Sequence, residues 1–332
     1  MQEHSVWLWL GFGAIILLMM SLDLGLLNRK SHAPTFREST VWSCVWITLA
    51  LLFAGVIFWR LGSIKGLEFL TGYVIELSLS VDNLFVFLLL FSYFKVPAKY
   101  QHRVLFWGVL GALVMRVTII LLGTALINRF HWVLYLFGAF LVYTGIKMLV
   151  HSDEDLDPEQ SNVVRALTRF VPISRRYEED KFFTIINGRR TGTLLFLVLV
   201  IVEVTDLVFA VDSIPAIFGV TTDFFIVFTS NVFAILGLRT LFFLLARVIE
   251  KFHYLKLGLA LVLTMIGAKM LSENLLLRVV NKYTLIVISL SVVATVLTAS
   301  IAASLIWPED SDLGSESNVA ANIDDPLVDG ER

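Results

Sequence analysis

Five carboxylates fall inside stretches otherwise almost free of charge. Glu76 and Asp82 lie in "ELSLSVDN", and Glu203, Asp206 and Asp212 lie in "VEVTDLVFAVDSIP". Neither stretch holds a Lys or Arg. A carboxylate at the centre of a membrane helix costs roughly 2.5–3.5 kcal/mol, so five of them, ionised and unpaired, would cost on the order of 10–18 kcal/mol. Such groups persist only if they pair with a base, bind a cation or carry a proton. The bases within the apolar stretches are Arg116 and Arg239, which leaves a surplus of three acids. That surplus favours a cation, with the two arginines as charge-compensating groups in a structural role.

The ligands on offer are oxygens. Beside the carboxylates stand the amide of Asn83 and the hydroxyls of Ser78, Ser80, Thr205 and Ser213; Asn83, Ser213 and Ser80 are the secondary metal-site candidates. Hard oxygen donors suit Mn²⁺, Mg²⁺ or Ca²⁺, whereas Zn²⁺, Cu⁺ and Ni²⁺ prefer His or Cys. All six histidines fall in loops or at the ends of apolar stretches. The single cysteine, Cys44, rules out an internal disulfide and any multi-cysteine site. No prosthetic group is implied.

Spacing limits the geometry. Glu203 and Asp206 are three residues apart and share one helix face. Asp206 and Asp212 are six apart, about 120° out of phase at 100° per residue, and Glu76 and Asp82 repeat that mismatch. Straight helices therefore cannot aim all five at one ion. Pro215 removes the hydrogen bond to the Val211 carbonyl, so a break near 211–215 is expected to turn Asp212 inward; the alternative is several stations along a path.

The elements that carry these residues are membrane spans. The chain of 332 residues is 57% hydrophobic and 16% charged, below the usual 25% or so of charged residues in soluble proteins. Nine apolar stretches have spanning length: about 6–27, 41–59, 69–94, 104–127, 132–150, 193–219, 224–248, 254–272 and 283–307. The fold class is thus an all-α polytopic membrane protein. With the N-terminus outside and the C-terminus cytoplasmic, seventeen Lys and Arg lie in inner loops or their flanks and six on the outer side, as the positive-inside rule requires. The first stretch follows Glu3 and His4 rather than a basic region, so no cleavable signal is expected. Residues 151–191, with "DEDLDPE" and paired arginines, read as a solvated cytoplasmic loop. Residues 308–332 are acidic and lack aromatics, which predicts a disordered tail. Lys147 and Lys269 lie near span ends, where they can snorkel. With a net charge of −2 and no basic arm, nucleic-acid binding is not expected.

Two thirds of the apolar core is written twice. "LSLSVDNLF" (77–85) matches "LVFAVDSIP" (207–215), pairing Asp82 with Asp212, Asn83 with Ser213 and Glu76 with Asp206. "GALVMR" matches "AILGLR", pairing Arg116 with Arg239, and "GIKML" (145–149) matches "GAKML" (267–271). Each copy holds three spans, so the second enters from the opposite side and runs inverted. Inverted repeats with a site where the copies meet are a transporter architecture. The domain organisation follows: 1–62, two N-terminal spans; 68–150, repeat 1; 151–191, loop; 192–272, repeat 2; 282–307, a C-terminal span; 308–332, tail.

"GYVIELSLSVDNLFVFLLLFSYFKVP" and "VEVTDLVFAVDSIPAIFGVTTDFFIVFTSNVFAILGLR" resemble the TerC family of integral membrane proteins, most closely its Alx-like members, over about residues 5–305. The resemblance implies a bacterial inner-membrane protein, and export of Mn²⁺ from the cytoplasm, with Ca²⁺ as the other ion. The family's acidic motif residues match Glu76, Asp82, Glu203, Asp206 and Asp212.

Three functions compete: a proton-coupled secondary exporter of divalent cations, an assembly partner of the secretion machinery that helps insert or metalate exported proteins, and an intramembrane hydrolase. No "GxGD" or "HExxH" pattern accompanies the acids, so an enzyme is not expected, and the absence of "GxxxxGK[ST]" argues against ATP-driven transport. The expected partners are the bilayer, a divalent cation, and either a second copy of the chain or the translocase. The orientation has a direct check. A fluorescent protein fused after Arg332 should fluoresce in the cytoplasm, and one inserted beside Arg129 should stay dark; the reverse pattern would invert the topology.

Overall fold

The computed structural model describes residues 6–27, 36–150, 172–174, 177–178, 181–186, 189–245 and 254–306. The tail and most of the 151–191 loop lie outside the described residues, as do the side chains of Asp82, Asp212 and Arg239. Nine helices stand among the described residues: α1 (Val6–Leu27), α2 (Phe36–Leu61), α3 (Ser63–Tyr93), α4 (Ala98–Arg129), α5 (Val133–Val150), α6 (Leu194–Phe218), α7 (Phe224–Leu245), α8 (Leu255–Val279) and α9 (Lys282–Ile306). Seven of them, α2 to α6 with α8 and α9, are long and apolar enough to cross a bilayer; α1 and α7 add the shorter apolar stretches Val6–Met19 and Phe224–Leu238. Helices α3 and α4, of 31 and 32 residues, outrun the roughly 20 residues a bilayer needs and so project beyond it or tilt.

Helix α3 is the axis of the bundle. It packs on α2, α7 and α9, while α4 packs on α6 and α7, and α5 lies along α8. Between the α3 C-terminal half, α4, α6 and α7 sits one buried cluster that includes Leu84, Phe87, Phe91, Val198 and Phe242. A second joins α1, α2, α3 and α7 through Phe12, Trp46, Phe53, Phe69 and Phe233. Outward-facing side chains are also apolar, with Trp7, Trp59, Trp132 and Tyr143 exposed, as lipid and interface contacts require. Trp42 is half-buried against the second cluster.

Helices in lipid associate by close packing rather than by water exclusion, which favours small residues at the seam. The α5–α8 seam depends on them. A Cβ added at Gly267 would lie 2.6 Å from the Gly138 carbonyl oxygen and 2.8 Å from the Val142 nitrogen. One added at Gly145 would lie 2.7 Å from the Ala260 carbonyl oxygen and 2.9 Å from the Thr264 nitrogen. These are backbone atoms and cannot swing aside. Between α2 and α3 the chain reverses at Gly62, whose φ of 90° suits glycine.

Part of the expected 151–191 loop is a hairpin, β1 (Phe183–Ile186) paired antiparallel with β2 (Arg189–Gly192). The Asn187–Gly188 dipeptide between two strand-like runs is its sequence signal. Thr193 joins it to α6, accepting the Phe196 N–H as N-cap and donating to the Lys181 carbonyl at 2.7 Å. Tyr177 straps the same segment to the end of α3 by donating to the Phe94 carbonyl at 2.7 Å, and burial pushes its phenol up to about 12.

The expected break at Pro215 does not occur. Helix α6 continues to Phe218 with Pro215 in its last turn. The proline forfeits one bond near a helix end, where the end is otherwise satisfied: Gly219 N–H donates to the Pro215 carbonyl at 3.0 Å, and Lys269 Nζ donates to the Gly219 carbonyl at 3.1 Å. Lys269 therefore caps α6 rather than snorkelling. Gly267→Ala should lower stability by about 1–3 kcal/mol through overpacking, read as a lower melting temperature in detergent; an unchanged melt would contradict the tight seam.

Candidate functional site

Arg116 lies near the middle of α4, about 27 Å along it at 1.5 Å per residue, and is almost fully buried. Four helices converge on its guanidinium. Nη1 is ion-paired with Glu76 Oε1 on α3 and donates to Ser213 Oγ on α6 at 2.9 Å and to Asn231 Oδ1 on α7 at 3.5 Å. Nη2 lies 3.8 Å from Asp206 Oδ1 on α6. Arginine suits this position because its planar fork of donors satisfies several acceptors at once and never loses its charge.

Among the described residues the cluster is not electrically closed. One guanidinium faces two carboxylates, and Glu76 Oε2, Asp206 Oδ2, Asn231 Nδ2 and Arg116 Nε are buried without a described hydrogen-bond partner. Ser80 Oγ and Asn83 Nδ2 on α3 are in the same condition. Unpartnered buried polar atoms are rare in native structures, and here they concentrate around the residues that the sequence singled out.

Glu203, one turn before Asp206, is half-buried and lies against α4, where its carboxylate occupies the space that a Cβ on Gly111 would take. Asp206 borders a cavity of about 10 Å³, the size of one water, whose other walls are apolar: Leu84 and Phe87 of α3, Gly108 and Ala112 of α4, Val202 of α6 and Leu238 of α7. Asp82 lies on α3 and Asp212 on α6, six residues beyond Glu76 and Asp206. Because α6 is continuous, the offset of about 120° between the backbone positions of Asp206 and Asp212 stands. Arg239 lies on α7.

The structure thus joins Glu76, Asp206, Ser213 and Arg116, and sets Glu203 apart. Among the described residues, no three His, Cys, Asp or Glu side chains form a metal-holding group, since Arg116 stands between the central carboxylates. Sequence reasoning missed two participants. Asn231 was hidden as one amide in an apolar span, although a buried amide facing the paired arginine is its signal. Glu68, fully buried near the start of α3, sat just outside the expected span. Replacing Arg116 by Gln should cost about 3–5 kcal/mol, because it leaves buried carboxylates uncompensated; adding Glu76→Gln should recover part of that loss in a thermal melt. No recovery in the double variant would refute the coupling.

Comparisons with known proteins place this arrangement. The chain is 51% identical over 263 residues to an uncharacterized membrane protein, STKORF319, of Myxococcus xanthus, covering 79% of this chain and 82% of that one. It is 50% identical over 273 residues to Alx of Escherichia coli strain K12, named as a candidate membrane-bound redox modulator, covering 80% and 85%. A membrane protein of Rickettsia bellii is 41% identical over 266 residues, covering 80% and 88%. No solved structure matches. The model of the integral membrane protein TerC family matches residues 61–312, a stretch that contains every candidate site residue. This multi-pass membrane chain belongs to the TerC family.

Proposed function

We propose that the protein is a secondary transporter that exports divalent cations, Mn²⁺ first among them, from the bacterial cytoplasm across the inner membrane in exchange for protons. The observation that carries this reading is the buried cluster of Arg116, Glu76 and Asp206, which draws on both sequence copies and is, among the described side chains, one positive charge short. A cation would supply that charge, and carboxylates can release or take up protons as it arrives or leaves.

The packing supports an inverted repeat of three helices within nine spans. With α3, α4 and α5 as one copy and α6, α7 and α8 as the other, α3 packs on α7 while α4 packs on α6, and α5 packs on α8. Two-fold related copies exchange contacts in this way. The seam agrees at residue level. Under the pairing of "GIKML" with "GAKML", Gly145 corresponds to Gly267 and Gly138 to Ala260, and the contact of Gly145 with Ala260 is matched by that of Gly267 with Gly138.

In this reading Glu203, on the side from which α6 starts, receives the cation from the cytoplasm. Asp206 and Glu76 hold it at the centre, and Asp82 and Asp212 are further stations, with Asn83, Ser80 and Ser213 lending oxygens. Arg116, and by the repeat Arg239, compensate part of the carboxylate charge as fixed structural counter-ions. The redox role in the name of the Alx relatives would reach this chain through metal balance, because its one cysteine, Cys44, is exposed and cannot form an internal disulfide.

The test is Mn²⁺ flux by the purified protein in proteoliposomes, with Ca²⁺, Mg²⁺ and Zn²⁺ as competitors. Asp82→Asn and Asp212→Asn should each abolish flux and leave the melting temperature near the parent's. Unimpaired flux in both would defeat the proposal. Capture of translocase components by a protein that moves no ion would favour the assembly-partner reading instead.

A further inference from the structure

At the end of α3 remote from the hairpin, a second group of charges closes over the bundle. Lys65 Nζ bridges two acids, 3.0 Å from Glu68 Oε2 and 2.7 Å from Asp223 Oδ2. Lys282, at the start of α9, reaches Glu68 Oε1 at 2.9 Å, and Thr221 Oγ1 donates to Glu68 Oε2 at 2.7 Å. Asp223 also accepts the Phe225 N–H at 3.1 Å, which fixes it to the start of α7. Four segments are tied by these contacts: α3, the α6–α7 connection, α7 and α9.

A file of small and polar residues leads inward from this group. Gly72, one turn along α3 from Glu68, faces Ser230 of α7 and Ile217 of α6; a Cβ there would lie 3.1 Å from both Ser230 Oγ and Ile217 Cδ1. The next residue, Asn231, reaches Arg116. Beyond Arg116 lie the small cavity and the half-buried Glu203. The two ends of the file therefore differ: one is closed by an ionic group, the other by a single carboxylate beside small residues.

The two kinds of cation differ as well. Arg116 is 2% exposed at its side chain, whereas Lys65 is 19% and Lys282 53% exposed. Separating a pair is costly where the freed charges stay dry and cheap where water can take them. Arg116 is thus a fixed centre; at the other end Glu68 and Asp223 are only 0% and 5% exposed, so a lysine can swing into water and return because Glu68 keeps the other lysine and Thr221 Oγ1, and Asp223 keeps the Phe225 N–H.

We infer that Lys65, Glu68, Asp223 and Lys282 form a reversible ionic latch that closes the outward end of the transport path, and that it is shut in this structure. The inference rests on the transport reading. Opening it separates α3 and α9 from the start of α7 and admits water toward Ser230.

The test reads access rather than flux. In a Cys44→Ser background carrying Ser230→Cys, sealed proteoliposomes are treated with a membrane-impermeant maleimide on the Lys65 side. The latched chain should label slowly. Lys65→Gln with Asp223→Asn should label faster by on the order of tenfold, as expected for the loss of one charge-assisted bond. Lys65→Arg should stay slow. Lys282→Gln alters only a half-exposed side chain, leaves the fold intact and should give a smaller rise. Equal labelling in parent, double variant and Lys282→Gln would overturn the latch. Latch-dependent labelling in a protein that moves no Mn²⁺ would remove the transport reading and leave the latch standing.

Discussion

A guanidinium buried among lipid-embedded helices has no water to stabilise it, and that constraint organises the centre of this protein. Arg116 must find its acceptors on neighbouring helices, and it finds them on α3, α6 and α7. Because the fork is planar and rigid, those helices have little freedom to slide or turn relative to α4. The pairing adds little net stability over a well-packed apolar core, but removing one member leaves a buried charge exposed to low dielectric. The cluster therefore specifies one arrangement of four helices more than it strengthens it.

Around that centre the bundle is held by contact rather than by water exclusion. The α5–α8 seam brings backbone against backbone at Gly138, Gly145 and Gly267, the approach that small residues permit in lipid. Aromatic clusters fill the space between α1, α2, α3 and α7. On the two sides of the seam Gly145 meets Ala260 and Gly267 meets Gly138. At the centre Glu76 pairs directly with Arg116, while Asp206 stands farther off.

Polar groups in the bundle fall into zones with different access to water. Lysines with wet heads bind acids near one end of α3, an arginine holds the dry middle, and Glu203 lies at the other side against Gly111. Charges in the outer zones have neighbours and water to exchange with, while the central arginine is fixed by its dry surroundings.

How much of this was legible depends on whether a residue announces itself locally. Glu76, Asp206 and Arg116 could be read from the sequence because charge in an apolar span is costly wherever it ends up. Asn231 and Glu68 escaped because one amide, or one acid at a span boundary, has many inexpensive fates. Pro215 misled because the loss of one bond to the preceding turn does not by itself end a helix, and α6 runs through it to Phe218. Composition and periodicity by themselves determined a helical membrane protein with carboxylates surplus to its bases, since insertion cost acts residue by residue. Only the tertiary structure decided that Arg116 stands between Glu76 and Asp206, that Glu203 lies apart, and that Lys269 caps α6. Those outcomes depend on helix rotation and on partners far away in the chain, which no local pattern encodes.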